Sequence, residues 1–138
     1  MDRGINLKRL LLMSLLIFGP ADAVPLRPYE VLYDTRALGL SMTLKRSLSS
    51  SDDGFVLRNK GKNVLISIDE TARFSIQDGK ILGQQYKSKR RTLLTQRREI
   101  IYLPKDKLIR SRKDKIWTEL PWQINLLDSL LQQEQLRI

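Results

Sequence analysis

The chain has 138 residues, 41% of them hydrophobic, and carries 25 lysines and arginines against 15 aspartates and glutamates, a net charge of +10. It has no cysteine and no histidine, which excludes a disulfide framework, thiolate and imidazole metal sites, and the commonest general base. The length suits one small domain held by packing and backbone pairing, and the charge favours anionic partners.

The chain opens MDRGINLKRLLLMSLLIFGPADA. Arg3, Lys8 and Arg9 form a positive start, Leu10 to Phe18 is an apolar run, Gly19-Pro20 breaks it, and Ala21-Asp22-Ala23 offers small residues for cleavage. This is the pattern of a cleaved secretory signal over residues 1–23. The run of about 9 residues is well short of the ~20 that a membrane-spanning helix needs. The expected location is therefore the periplasm, with Val24 to Ile138 as a single β-rich domain and no transmembrane span after cleavage. There the anions on offer are lipid headgroups and envelope polymers rather than genomic DNA.

Val24 to Pro28 reads as an extended lead-in. From Tyr29 the pattern has period two. Tyr29, Val31 and Tyr33 share one face of the first strand; Leu38, Leu40, Met42 and Leu44 share one face of the second. SLSSSDDG, Ser47 to Gly54, reads as a polar turn or loop. FVLRNKG is the next strand, and NVLISIDETARFSI follows, with Val64, Ile66 and Ile68 alternating before a polar interruption and then Phe74 and Ile76. Asp78-Gly79 predicts a hairpin, because glycine tolerates the positive φ of a tight turn. After it, either Ile81 or Leu82 leads into Gln84, Tyr86 and Ser88 on one face. REIIYLP is a short strand ended by Pro104, and Ile116 to Glu119 is one more. In the tail, Leu127, Leu130 and Leu131 fall at helical spacing, with Asn125 and Asp128 as a weak capping signal. They predict a helix from about Leu126 to Leu136, laid over a sheet face or edge. The expected fold is mainly β: a curved antiparallel sheet or partial barrel closed by one C-terminal helix.

Catalytic patterns are thin. There is no phosphate-binding glycine loop, no GxSxG elbow and no metal cluster. Asp52-Asp53 reads as solvated acid in a turn, and Asp69-Glu70 as a local charge pair with Arg73. No catalytic, cofactor-binding or metal residues are expected, and the chain reads as non-enzymatic. The salient feature is YKSKRRTLLTQRRE, whose Lys87, Lys89, Arg90, Arg91, Arg97 and Arg98 form a candidate anion-contacting rim. Three readings compete for it. The ordinary one is a solvated hairpin face on which cations discourage aggregation. The second is contact with an anionic envelope lipid or polymer. The third, nucleic acid, is disfavoured because no recognised motif accompanies Tyr86 and Tyr102.

RFSIQDGKILGQQY, Arg73 to Tyr86, together with YEVLYDTRALGLSMTLKRSL before it and ELPWQINLLDSLLQQEQLR after it, resembles an exported bacterial family catalogued as domain of unknown function 3108. The resemblance covers most of Pro28 to Arg137. It implies export, a periplasmic location and a β-rich fold, and it carries over no functional residues. That family usually continues with further strands beyond the Leu-Arg helix, so the chain reads as a short or truncated version. The expected function is a non-enzymatic binder of an apolar or anionic envelope ligand. The alternative is a protein–protein interaction module of the envelope that pairs through an open sheet edge.

Overall fold

The computed structural model describes residues 26–138. The expected signal over residues 1–23 and the start of the lead-in lie outside them. Eight antiparallel strands follow one another in a single sheet, each pairing with the next: β1 (Tyr29–Ala37), β2 (Leu40–Ser51), β3 (Gly54–Lys62), β4 (Ser67–Gln77), β5 (Lys80–Arg91), β6 (Thr95–Leu103), β7 (Leu108–Lys113) and β8 (Ile116–Pro121). One helix, α1 (Ser129–Gln135), closes the chain. The sheet is curved and does not close, so β1 and β8 are its two edges among the described residues. The mainly β fold with one C-terminal helix is as expected.

Tight turns explain the meander. Leu38-Gly39 and Asp78-Gly79 both have positive φ at each central position, the geometry whose twist matches the flanking strands. The β6–β7 connection is a single turn of tight helix, Pro104–Asp106, ended by Lys107 in the left-handed region.

Directly opposed residues share a face, so the register defines rows across the sheet. One row runs Tyr29, Leu48, Leu57, Ala72, Tyr86, Ile100. Against it pack Leu130 and Leu131, both buried, with Phe74 and Ile81 completing the core. Burying each leucine contributes about 1.5–3 kcal/mol, more than a seven-residue helix could supply by itself.

Several details differ from the sequence reading, one of them β7 (Leu108–Lys113), a strand it did not contain. The helix starts at Ser129, because Asp128, not Asn125, caps it: its side chain accepts from the backbone N–H of Leu130 and Leu131. The serine run is not a loop. Ser47 to Ser51 continue β2, with Leu48 in the core row, and only Asp52-Asp53 turn. Residues 63–66 are a loop rather than a strand, pinned by Asn63, whose Oδ1 accepts from the N–H of Leu65 and Ile66 at 2.9 Å each. β4 is unbroken through its polar centre, because Glu70 accepts from the Tyr86 hydroxyl at 2.9 Å and Ala72 is small enough to sit under the helix. Finally, a bulge settles Ile81 against Leu82. Arg73 opposes Gln85 while Phe74 opposes Gly83, so Gln84 is the extra residue. It shifts the alternation by one, and both Tyr86 and Ile81 face the core.

Candidate functional site

The six candidate cations lie on the β5–β6 hairpin beyond the core, and alternation divides them. Lys87, Lys89, Arg91 and Arg97 point to the face opposite the helix; Arg90 and Arg98 share the helix side with Tyr86 and Ile100. They do not form one rim. Lys87 sits 3.7 Å from Glu99, which also binds Arg112 at 2.6 Å and accepts from Gln85 Nε2 at 3.0 Å. The backbone of Arg97 is tied to Asp114: its N–H donates to Oδ1 at 2.9 Å and its carbonyl accepts from Asp114 N–H at 2.8 Å.

Lys89 and Arg91 instead join residues from three other strands. A row on the face away from the helix runs Asp34, Thr43, Lys62, Ser67, Arg91, and beside it runs Lys60, Asp69, Lys89. These residues, with Arg36, line an open cleft of about 1410 Å³ at the end of the sheet where the β1–β2 and β3–β4 connections lie. Its carboxylates are engaged locally. Thr43 Oγ1 donates to Asp34 at 2.9 Å, and Lys60 pairs with Asp69 at 3.5 Å. The expected partner of the acidic pair, Arg73, takes no part: Asp69 turns to Lys60, and Glu70 lies on the other face, beside Asn59. Among the described residues Arg36, Lys62, Lys89 and Arg91 have no carboxylate at ion-pair distance. Neighbouring strands are roughly 4.8 Å apart, so Lys62 and Arg91, with β4 between them, are anchored on the order of 10 Å from each other.

The sequence reading found Lys89 and Arg91 and missed Arg36, Lys60 and Lys62. Lys60 and Lys62 share a face of β3 by alternation, which is a signal visible in the chain. That this face meets Arg91 depends on the register across β4, which is not.

Arg98 belongs to a second, smaller cavity of about 380 Å³ on the helix side, with Lys113, Ser111, Asp128 and Ser129. Asp128 is committed to structure there. Burial pushes its carboxyl above the usual carboxylate range, against the lowering effect of the donors from Leu131, Tyr102 and Leu130.

Among the described residues no group of three acidic, cysteine or histidine side chains could hold a metal ion. No helix is long and apolar enough to cross a membrane among the described residues. No family model, no curated protein and no solved structure matches the chain.

Proposed function

We infer that the protein binds a multiply charged, phosphate-bearing anion of the cell envelope and performs no chemistry on it. One observation carries this reading. Three strands, β1, β3 and β5, deliver Arg36, Lys62, Lys89 and Arg91 to one open cleft, and among the described residues none of these cations has a carboxylate at ion-pair distance. Like charges gathered on one face of a sheet repel one another unless a counter-charge joins them. Spacing on the order of 10 Å between Lys62 and Arg91 suits a ligand with more than one charge. The export signal read at residues 1–23 supports an envelope source. The apolar half of the sequence expectation has less support, because Leu130 and Leu131 already occupy the centre of the helix-side face.

The anion could be a lipid headgroup or a free polymer, and two arms separate these. Co-sedimentation with phosphatidylglycerol vesicles, against phosphatidylcholine vesicles, reports the first; calorimetric titration with soluble polyphosphate reports the second. A Lys62→Gln/Arg91→Gln variant should bind about tenfold more weakly in whichever arm is positive, equivalent to about 1.4 kcal/mol. Lys105→Gln/Lys107→Gln, at the β6–β7 turn outside the cleft, should bind as the parent does. Binding in neither arm, or equal loss in both variants, would overturn the proposal.

A further inference from the structure

The two sheet edges are not alike. β8 is short, ends in Pro121, is flanked by Lys113 and Lys115, and has Trp117 held between the guanidinium groups of Arg110 and Arg112 at 4.9 and 5.0 Å. Lysine, proline and brevity are the usual means by which an edge avoids pairing. β1 has none of them. It runs nine residues without lysine, proline or glycine, and exposes Val31, Leu32 and Tyr33 at 37%, 64% and 46%. A long edge of that kind is a template for another strand.

The direction of its free groups follows from the Leu38-Gly39 turn. In a two-residue hairpin the flanking residues, here Ala37 and Leu40, form the hydrogen-bonded pair, and hydrogen-bonded and non-bonded pairs then alternate. Tyr29, Val31, Tyr33 and Thr35 therefore turn their N–H and C=O to β2. Glu30, Leu32, Asp34 and Arg36 turn theirs to the open edge.

We propose that β1 is a self-pairing edge, and that two copies of the chain join antiparallel about a two-fold axis at Tyr33. In that register Glu30 lies opposite Arg36 of the second copy, and Leu32 opposite Asp34 of the second copy. The charges complement each other twice over, once on each side of the axis. Arg36 has no carboxylate at ion-pair distance within its own chain among the described residues, whereas Glu30 holds Lys45 at 2.8 Å and keeps a second oxygen free. The outward N–H and C=O groups meet as bonded pairs, and on the helix side Tyr33 meets its own copy while Val31 of each copy lies opposite Thr35 of the other. Because Asp34 and Arg36 also line the cleft, the two anion clefts come to lie on the same face of one joined sheet. The pairing itself does not depend on the cleft binding anything.

The test uses the full chain, which has no native cysteine. Tyr33 would face its own copy as a non-hydrogen-bonded pair, with Cα atoms about 4.5 Å apart, inside the range a disulfide spans. Under mild oxidation Tyr33→Cys should give a covalent dimer, and Leu32→Cys, displaced by two residues from its own copy, should give at least tenfold less. In sedimentation equilibrium the parent should be a dimer. Arg36→Glu should weaken it at least tenfold while keeping the circular dichroism spectrum, and Glu30→Arg/Arg36→Glu should restore it. A monomer at every concentration would overturn the proposal. So would equal cross-linking at both positions, open-ended polymers of the kind β1-to-β8 pairing would build, or failure of the reversed charge pair to rescue.

Discussion

Tyr102 and Asp128 hold each other twice: the tyrosine hydroxyl donates to Asp128 Oδ2 at 3.0 Å and accepts from the Asp128 backbone N–H at 2.8 Å. The other carboxylate oxygen accepts from Leu130 and Leu131 N–H at 3.0 and 3.1 Å. One side chain of β6 thus fixes the residue that starts α1, and α1 fills the core. Tyr102→Phe keeps the ring and removes the hydroxyl. It leaves a buried N–H and a buried carboxylate oxygen each short of a partner, at a cost of about 1–3 kcal/mol per group. Urea unfolding should show a loss of about 2–6 kcal/mol for the two groups together, with hydrogen exchange faster in α1 than in β3. Unchanged helix protection would mean the pair does not position the helix.

The other end of α1 depends on a buried charge. Glu134 has no exposed side-chain surface; Arg46 lies 3.3 Å from it, Tyr29 donates its hydroxyl at 2.9 Å and Arg137 approaches to 3.1 Å. Arg46→Ala leaves the carboxylate with Tyr29 and Arg137 alone, so the loss should fall below the ~3–5 kcal/mol that fully stranding a buried charge costs. Replacing both, Arg46→Met with Glu134→Leu, should cost less than either single change. Denaturant unfolding of the four proteins reads the coupling directly; additive losses would show the two residues to be energetically independent.

Gly83 has no side chain because Tyr102 takes its place. A Cβ there would meet three ring carbons of Tyr102 at 2.7 to 2.9 Å. The ring cannot retreat while Asp128 holds its hydroxyl. Gly83→Ala should therefore destabilise by about 1–3 kcal/mol, the usual cost of overpacking. Combined with Tyr102→Leu the added loss should shrink, and chemical denaturation of the double variant measures by how much.

These contacts mark the limit of what alternation reveals. The Asp78-Gly79 hairpin and the apolar face of the tail were both legible, because each rests on residues a few positions apart. The Gln84 bulge was not: one inserted residue changes the face of every residue before it in β5, and nothing in KILGQQY marks the place. The serine run misled for a related reason, since polar composition resembles a loop even where Leu48 anchors a strand. The cleft was half legible. Lys89 and Arg91 stand in a conspicuous basic run, but Arg36 and Lys62 reach them only through pairings among five strands. Arg46 and Glu134, 88 residues apart, were invisible to any local pattern.

Alkaline titration should separate buried tyrosines from the ordinary case. Burial, reinforced by the neighbouring Glu70 carboxylate, pushes the Tyr86 hydroxyl from 10 up to about 12. Burial and Asp128 push Tyr102 higher still, and burial with the Glu134 hydrogen bond raises Tyr29. Below pH 10 these hydroxyls are neutral in folded and unfolded chains alike, so their contribution to stability is whole. Above it the unfolded chain releases protons that the folded chain retains, and stability falls as pH rises from 10 through 12. For Tyr86 alone the shift corresponds to about 3 kcal/mol across that window. The urea midpoint should drop steadily there, tyrosinate absorbance should lag until the chain unfolds, and Tyr86→Phe should flatten the drop. Prompt ionisation of Tyr86 and Tyr102 near pH 10 in the folded protein would contradict their burial against Glu70 and Asp128.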